Sequence, residues 1–416
     1  MKFILFKIRN LSCLLLIVSS MTLLESCEES SVITSTKGTL AGKVYSVSKF
    51  AMRNIEIKVG DKSVSTSDDG EFSLSDVEFP CNVILRNPGS NYATKYLNVT
   101  EGTSTFIVEG VDSYTLNTKL KITLPSGIFD NSDNATMIFS DGMNVNLSKE
   151  FDSQTPPEEL FVSYAGSNPV TGKLHVIIYS KENSKVVTFD NYAVSENIET
   201  VLGQEITYDF SMNQFDLNPG EKTVNINIPV PPSGSYVGFN FLSFSKYKNI
   251  NSQYPARQSF ILQSPEVVIP LNIPGLISFA EIHTSGYVGK ERLTEESSQS
   301  FQTKNDPQLI SPENNAAGIS GATEFSYTQS QGTGIYFIDV YNSSTQERYT
   351  LVTKDNSFLF SEITEMAEIS TSNKTYNYYV RKFGEAADIK DFLNNYYNSE
   401  VSYRAGSDLR SFTTGE

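Results

Sequence analysis

The stretch IEIKVGDKSVSTSDDGEFSL, residues 55–74, decides the fold class. Apolar and polar residues alternate over residues 55–59 and again over residues 71–74, which is the period of a strand with one buried face. A Gly60-Asp61 turn follows the first run, and Asp69-Gly70 precedes the second. An Asp-Gly pair between alternating runs predicts a β-hairpin, because both central residues of a tight hairpin turn need positive φ.

The same pattern continues to the C-terminus. Tyr, Phe, Val, Ile and Thr are plentiful, and Gly, Pro, Asn and Asp interrupt the alternating runs at short intervals. Asp141-Gly142 predicts a second hairpin between residues 137–139 and 143–147. The 416 residues exceed what one hydrophobic core usually serves. We therefore expect an all-β protein of tandem antiparallel β-sandwich, immunoglobulin-like domains.

The chain begins with the features of a secretion signal. Lys2, Lys7 and Arg9 make a basic start, and residues 11–24 are mostly apolar. This apolar segment is shorter than the roughly 20 residues that span a bilayer. The length favours a cleaved signal over an uncleaved membrane helix.

A cysteine follows the apolar segment. The sequence Leu24-Glu25-Ser26-Cys27 resembles the lipobox of bacterial lipoproteins, although a small or neutral residue is usual in place of Glu25. The resemblance implies a signal peptide of residues 1–26 and lipidation of Cys27, with membrane lipid as a partner and several acyl chains as a stable anchor. Glu28-Glu29 is similar to the acidic surface-export signals of some Gram-negative lipoproteins, or else belongs to a solvated linker. We expect a tether over residues 27–37 and a surface-exposed lipoprotein of the outer membrane.

Residues 38–112 resemble the carboxypeptidase regulatory-like domain, a small transthyretin-like sandwich. The matching positions are Gly42, Val44, the strand at 55–59 and residues 66–72. The Pro and Gly that often precede the second strand of that family are replaced here by Ala51-Met52-Arg53-Asn54. The family implies a β-spacer or docking module without an activity of its own.

Residues 306–416 resemble a fibronectin type III domain. The matching features are the Ser311-Pro312 opening, the strand at 376–381 and the closing Ser-Phe-Thr-Thr of residues 411–414. Tyr327 stands where that family usually has a tryptophan in its second strand. Between the two resemblances, residues 113–305 carry enough alternating runs for one or two further sandwiches, with a possible split near residue 200.

An insertion at residues 385–406 has the period of a helix. Ile389, Phe392, Leu393, Tyr396 and Tyr397 recur at the spacing of one helical face.

Asp388 is the expected cap of this helix, Asp391 lies in its first turn and Asn398 is its expected end. The helix either covers one end of the sandwich or forms a lid that faces a ligand, because loops at sandwich ends are common binding sites. The candidate ligand-facing residues are Phe392, Tyr396, Tyr397, Tyr403 and Arg404.

Catalytic motifs are absent from the sequence. The two histidines, His175 and His283, belong to no His-Glu-x-x-His zinc motif, and the chain contains neither a Gly-x-Ser-x-Gly elbow nor a Gly-rich phosphate loop. Each histidine has apolar neighbours and is interpreted as structural. We expect no cofactor.

Two weaker signals remain. The oxygen-rich cluster of Asp130, Ser132, Asp133 and Asn134 is a weak calcium candidate, with a polar turn as the alternative. Once Cys27 carries lipid, Cys81 is the remaining cysteine of the mature chain, so we expect no intrachain disulfide and a small buried thiol at Cys81.

The sequence favours a non-catalytic binding, adhesion or structural module anchored in the cell envelope. Its partner is an unidentified protein or carbohydrate, whereas the net charge of −16 argues against nucleic acid. One alternative is a glycan-capture lipoprotein, because exposed tyrosines stack on sugars, although the chain has no Trp. The other is a secreted hydrolase with a carboxylate pair in residues 113–305.

Overall fold

The computed structural model describes most of the chain beyond the expected tether. The described residues are 35–46, 51–108, 117–129, 133–140, 146–152, 159–163, 169–182, 185–201, 203–215, 218–227, 237–239, 258–260, 266–273, 279–283, 287–292, 298–300, 307–329, 332–367, 372–398 and 403–415. The expected signal, Cys27, Asp130 and Ser132 lie outside these ranges. Within them, no helix has the length and apolar character needed to cross a bilayer.

The first sandwich is built from seven strands around one core. The strands are β1 (Thr36–Ser46), β2 (Glu56–Val59), β3 (Lys62–Ser65), β4 (Glu71–Phe79), β5 (Cys81–Arg86), β6 (Tyr92–Val99) and β7 (Thr105–Val108). One sheet has the order β4-β1-β7, and β3-β2-β5-β6 belong to the other. Val44, Ile57, Leu85 and Phe106 are fully buried between the two sheets. The alternation of residues 55–59 therefore faces this core, as predicted.

The Asp69-Gly70 turn forms, but the predicted hairpin is wrong. Gly70 adopts φ +75° and donates its backbone N–H to the Ser67 carbonyl at 3.0 Å. The strands on either side of the turn then pair in different sheets, β3 with β2 and β4 with β1. The turn carries the chain across the core, and the antiparallel hairpin is made by β2 and β3 around Gly60-Asp61.

The middle sandwich has seven strands and its own core. The strands are β8 (Asn117–Thr123), β9 (Asp133–Ser140), β10 (Asn146–Asp152), β11 (Glu159–Ser163), β12 (Val170–Glu182), β13 (Lys185–Thr200) and β14 (Glu205–Asp209). Its sheets have the orders β10-β9-β12-β13 and β11-β8-β14. Strands β9 and β10 pair antiparallel, with Leu147 opposite Phe139, while the predicted Asp141-Gly142 turn lies outside the described residues. The core includes Phe210 and Phe215, the latter in a 3₁₀ helix (Met212–Phe215), so it extends past the possible split near residue 200.

Seven shorter strands follow the middle sandwich. They are β15 (Glu221–Asn227), β16 (Val237–Phe239), β17 (Gln258–Phe260), β18 (Glu266–Pro270), β19 (Phe279–His283), β20 (Tyr287–Arg292) and β21 (Ser298–Ser300). Strands β18-β15-β21 form one small sheet and β16-β17 another. The hairpin of β19 and β20 instead joins the large sheet described below.

The last sandwich contains the remaining strands. They are β22 (Leu309–Ser311), β23 (Ala316–Ile319), β24 (Glu324–Tyr327), β25 (Ile335–Asn342), β26 (Glu347–Thr353), β27 (Ser357–Leu359), β28 (Thr375–Gly384), β29 (Tyr403–Gly406) and β30 (Arg410–Thr414). A short helix, Ser361–Thr364, follows β27, and the insertion helix, Ile389–Asn398, lies between β28 and β29. Tyr327 is 1% exposed, packs 4.8 Å from the Tyr336 ring and donates its hydroxyl to the Asp355 carbonyl. Its ring therefore belongs to the core of the last sandwich. The all-β tandem-sandwich prediction is confirmed.

The first and last sandwiches share one continuous sheet. This 12-stranded sheet has the order β19-β20-β29-β28-β25-β26-β6-β5-β2-β3, with β30 and β23 added beside β28. The junction is a parallel ladder in which Tyr92 lies opposite Arg348 and Tyr96 opposite Val352. Tyr96 points into the core of the first sandwich, whereas its neighbour Leu97 belongs to the core of the last. Strand β6 is thus buried on both faces, one in each core.

Two side chains of the first sandwich also make polar contacts with the last sandwich. Lys95 is 1% exposed, and its Nζ lies 2.6 Å from the Glu362 carboxylate and also contacts Glu365. Arg86 donates to the Met366 backbone carbonyl at 2.8 Å. A buried lysine is tolerated only when its charge is paired. The position of Lys95 therefore requires that the segment containing Glu362 stays in place.

The insertion helix closes the core of the first sandwich. Its predicted limits are confirmed, and so is its cap, because Asp388 accepts the Asp391 N–H at 2.8 Å while the Asp391 carboxylate accepts the Ala387 N–H at 2.7 Å. Phe392 is fully buried, with its ring 5.4 Å from Phe337 of β25. The helix contacts β6 and β7 of the first sandwich. A segment inserted in the last sandwich therefore completes a core that begins near residue 40.

Replacing Phe392 tests this shared core. We expect Phe392→Ala to lower the free energy of unfolding by about 3–5 kcal/mol, because it leaves a cavity where two sandwiches meet. Urea denaturation followed by far-ultraviolet circular dichroism measures the loss, since the chain lacks Trp as a fluorescent reporter. Phe161→Ala is the matched control, because Phe161 is 53% exposed and its loss should cost less than about 0.5 kcal/mol. Equal effects of the two substitutions would contradict the shared core.

Candidate functional site

One face of the large sheet is covered in part by two other elements of the structure. The rest of this face is accessible at a depression. The β4-β1-β7 sheet covers the first-sandwich strands, and the insertion helix covers the part of β25 and β28 around Phe337 and Phe383. Toward the tip of the β25–β26 hairpin the same face remains accessible. Tyr92, Tyr341 and Tyr379 are half-buried there and line a depression of about 330 Å³.

Strand register places these side chains together. Alternation along β25 puts Phe337, Asp339 and Tyr341 on one face. Asp339 lies opposite Thr350 of β26 and Tyr379 of β28.

The neighbouring set of paired residues crosses the junction between the last sandwich and the first. Tyr341 lies opposite Arg348 of β26, and Arg348 lies opposite Tyr92 of β6. We call this surface the tyrosine–arginine face and define it by Tyr92, Tyr341, Tyr379, Arg348 and Arg381. The first sandwich supplies one of its residues and the last sandwich supplies the others.

A buried carboxylate holds the two arginines. The Asp339 side chain is 0% exposed; Arg381 donates Nε to it at 2.8 Å, and its NH2 nitrogen lies 2.6 Å away. Arg348 donates to the other carboxylate oxygen at 3.2 Å, and the Thr350 hydroxyl donates to that oxygen at 2.9 Å. Three side chains from two strands therefore satisfy a charge that would otherwise be costly to bury.

The two arginines differ in their access to solvent. The Arg381 guanidinium is 14% exposed and lies 5.6–5.7 Å from the ring centroids of Phe337, Tyr379 and Phe383, so it is held among aromatic rings. Arg348 is 33% exposed and lines the depression. Arg348 is therefore the cation that a ligand in this depression would meet.

The geometry of this face suits binding rather than acid–base catalysis. Asp339 is enclosed by its donors. The other carboxylate at the depression, Glu347, accepts the Tyr376 hydroxyl at 2.9 Å and pairs with Lys374 at 2.7 Å. Both carboxylates are already engaged by structural partners. The depression is otherwise lined by three tyrosines, Arg348 and the polar side chains of Asn342, Ser343 and Gln346.

The structure separates the residues expected to face a ligand. Phe392 does not face one, because it is enclosed in the core beneath the insertion helix. Tyr396 and Tyr397 lie on the last turns of that helix, and Tyr403 and Arg404 lie in β29 beside β28, but their side chains are outside the described part of the structure. The sequence reasoning missed the tyrosine–arginine face. Its local signal is a polar or aromatic residue at every second position of the two strands, namely Asn377, Tyr379 and Arg381, and Asp339 and Tyr341.

His175 of the middle sandwich has the structural role expected of it. The side chain is 3% exposed, its Nδ1 lies 2.9 Å from the Tyr192 hydroxyl and the two rings stack. Burial, with the positive charge of Lys173 nearby, lowers the pKa of His175 to about 3. The imidazole is therefore neutral at neutral pH. His283 lies in β19, and its side chain is not described.

The two weaker sequence signals are the calcium candidate that includes Asp133 and the thiol of Cys81. Asp133 begins β9, is 9% exposed and accepts the Ser180 hydroxyl at 3.3 Å. Among the described residues, no three His, Cys, Asp or Glu side chains gather as metal ligands. Cys81 is half-buried against the first core, and burial raises the pKa of its thiol to about 11, which disfavours the reactive thiolate.

Comparisons with known proteins add little to this picture. No family model and no curated protein matches the chain. Aligned solved structures include the Bacillus anthracis TIE protein, at 14% identity over 64% of this chain and 49% of that one, with a TM-score of 0.16. The shaft pilin SpaA from Lactobacillus rhamnosus GG aligns at 7% identity over 42% of this chain and 98% of the pilin, with a TM-score of 0.15. A tetra-tandem repeat from the extending region of a large adhesion protein aligns at 10% identity over 90% and 99%, with a TM-score of 0.17. The chain spans about half the length of the TIE protein, and similarities this weak carry no argument about function.

Replacing Asp339 tests the support of the tyrosine–arginine face. We expect Asp339→Asn to lower the free energy of unfolding by about 3–5 kcal/mol, because two partly buried guanidinium groups lose their shared counter-charge. Asp68→Asn, at an exposed position, is the control with the same chemical change. Urea denaturation of both variants measures the difference. A loss no larger than that of the control would show that Asp339 does not hold the arginines.

The low pKa of His175 predicts a pH dependence. The unfolded chain binds a proton at His175 below about pH 6.5 and the folded protein only near pH 3, so stability falls as the pH drops through this window. His175→Gln cannot titrate, and its unfolding free energy should fall less steeply than that of the wild type between about pH 7 and 4. Parallel curves for the two proteins would contradict the buried neutral histidine.

Proposed function

We propose that this protein is a cell-envelope lipoprotein whose β-sandwiches present a non-catalytic binding surface outside the cytoplasm. The observation that carries the proposal is the tyrosine–arginine face, an accessible aromatic surface in the middle of a large sheet. Central strands are rigid, so this face offers its side chains in a fixed arrangement.

The anchor is supported by the sequence. The basic start, the short apolar segment and the lipobox-like sequence ending at Cys27 imply a lipidated N-terminus. The acidic pair Glu28-Glu29 favours display on the outer surface of the outer membrane. The tether leads directly into the first sandwich, which resembles a carboxypeptidase regulatory-like domain.

The fold supports a binding surface that the first and last sandwiches form together. The last sandwich, which resembles a fibronectin type III domain, is joined to the first through the β6–β26 ladder. Tyr92 follows the tether by fewer than 70 residues, yet it lies opposite Arg348 in the same face. The sandwich that directly follows the proposed tether in the sequence therefore contributes a residue to the binding surface.

Glycan capture is the second candidate function. Three half-buried tyrosines on one sheet face are the observation that favours it, because the flat amphipathic ring of tyrosine can stack on the apolar face of a sugar. A partner of this kind needs only a shallow surface such as the one present here.

Metabolic labelling with a fatty-acid analogue tests the anchor. We expect the wild type to take up label and Cys27→Ala to take up none. Cys13→Ala is the matched control, because it removes the other cysteine of the N-terminal segment and should leave the label unchanged.

Protease treatment of intact cells tests surface display in the same strains. The wild type should be degraded, and an internal periplasmic protein should remain intact. Equal label in the wild type and Cys27→Ala, or full protection from the protease, would contradict the proposed function.

A further inference from the structure

We propose that the tyrosine–arginine face binds an uncharged glycan chain in an extended conformation, which lies across the strands of the large sheet. Two sugars of the chain, separated by one other sugar, stack on Tyr92 and Tyr341. This inference rests on the proposed binding role of the face, and it names the chemical class and the orientation of the ligand.

Strand register fixes the distance between the two tyrosines. Arg348 of β26 lies opposite Tyr341 of β25 on one side and opposite Tyr92 of β6 on the other. Residues opposite each other project from the same face of a sheet. Because neighbouring strands lie roughly 4.8 Å apart, the backbones at Tyr92 and Tyr341 are separated by about 10 Å. This distance is close to the length of two sugars in an extended chain, and one sugar ring is too small to cover both tyrosines.

A third tyrosine extends the aromatic surface beyond β25. Tyr379 of β28 lies opposite Asp339, which is two residues from Tyr341 along β25. The Arg381 guanidinium lies 5.7 Å from the centroid of the Tyr379 ring and helps to hold it. The depression that the three tyrosines line has a volume of about 330 Å³, at the lower end of the range for small-ligand pockets. It therefore holds part of a chain, and the other sugars extend over the sheet.

The charged side chains that line the depression already have partners of opposite sign. Arg348 lies 3.2 Å from the Asp339 carboxylate, and Glu347 lies 2.7 Å from the Lys374 ammonium group. An acidic or basic ligand would have to compete with these ion pairs, whereas an uncharged ligand leaves them intact. The arrangement of charge at this face therefore favours an uncharged ligand.

Polar groups at the tip of the β25–β26 hairpin favour a ligand that carries hydroxyl groups. Ser343 and Gln346 are exposed there and line the depression. The side-chain amide of Gln346 donates to the Ser343 backbone carbonyl at 2.6 Å, so its oxygen remains as an acceptor. The Ser343 hydroxyl can both donate and accept. Sugar hydroxyls supply the matching donors and acceptors.

A glycan fits the face better than a peptide. Extended peptides commonly add a strand to an open sheet edge, where main-chain hydrogen bonds hold them. Strands β28, β25, β26 and β6 each pair with neighbours on both sides, so their main-chain groups are engaged in the sheet. A proline-rich helix can dock on aromatic rings, but its prolines have no N–H to donate to the Gln346 amide oxygen.

A glycan array tests the inference, with the full-length protein in micelles of a detergent that contains no sugar. The array carries β-linked oligomers of glucose, mannose and xylose, which are extended, beside α-linked glucose oligomers, which coil. All lengths run from monosaccharide to hexasaccharide; mannuronic-acid oligomers are the charged counterparts, and oligoproline is the peptide. We expect an extended hexasaccharide to bind roughly tenfold or more tightly than its monosaccharide, because it stacks on two rings. Its binding should be nearly independent of salt.

Variants locate the binding on the two tyrosines. Tyr92→Ala and Tyr341→Ala should each weaken hexasaccharide binding by roughly tenfold through loss of one stacked ring. Tyr341→Phe keeps the ring and should retain binding. Phe161→Ala, which removes an exposed ring from the middle sandwich, should bind as the wild type does. Thermal unfolding of each variant checks that the fold is retained, and Tyr92→Ala tests the same surface if Tyr341→Ala is unstable.

Several outcomes would overturn the inference. These are an array without signal above background, equal binding of monosaccharides and hexasaccharides, a preference for coiled or charged oligomers, and glycan binding that either tyrosine-to-alanine variant leaves unchanged. Binding of oligoproline alone, lost in Tyr341→Ala, would also overturn it, but it would leave the proposed binding function standing. Failure of the lipid labelling, in contrast, would remove the envelope anchor whatever the array shows.

Discussion

The parallel ladder between β6 and β26 is the constraint on which the rest of the structure depends. It joins segments far apart in sequence, as the hydrogen bond from Asn91 to Thr345 spans 254 positions. Closing so long a loop costs entropy that only extensive burial can offset. Tyr96 on one face of β6 and Leu97 on the other provide that burial, and the insertion helix adds Phe392 to the same core.

The ladder also explains why the tyrosine–arginine face exists. Without it, Tyr92 would lie at the edge of the first sandwich and Arg348 at the edge of the last, with their backbone groups open to other strands. Pairing converts two edges into the centre of one sheet and brings Tyr92 beside Arg348. The buried Asp339 carboxylate then holds Arg348 and Arg381 in position by accepting their hydrogen bonds. Binding surface and structural core are thus built from the same strands, on alternate residues.

Local sequence patterns predicted individual strands and the insertion helix, but they did not predict which strands far apart in the sequence pair with each other. Alternation found the strands at 55–59 and 376–381, and the helical spacing of Ile389, Phe392 and Leu393 found the insertion helix with its Asp388 cap. The sequence of β13 lacks a regular alternation because the β12–β13 pair shifts register near Ile178 and Ser180, which breaks the period of two.

The ligand-facing role expected of Phe392 is wrong for a related reason. The pattern showed an apolar helical face, but what that face packs against is decided by β6 and β7, some 290 residues earlier in the chain. The tyrosine–arginine face escaped notice because Tyr92 meets Arg348 only through a parallel ladder, for which no turn residue gives a signal.

Hydrogen exchange of the backbone amides is the measurement that tests the joined sandwiches most directly. If β6 and β26 belong to one cooperative unit, their amides exchange with the same free energy of opening, and a substitution that weakens either sandwich lowers both values equally. Exchange from β6 that is insensitive to a destabilising change in the last sandwich would contradict the account, because it would show that the first sandwich opens by itself.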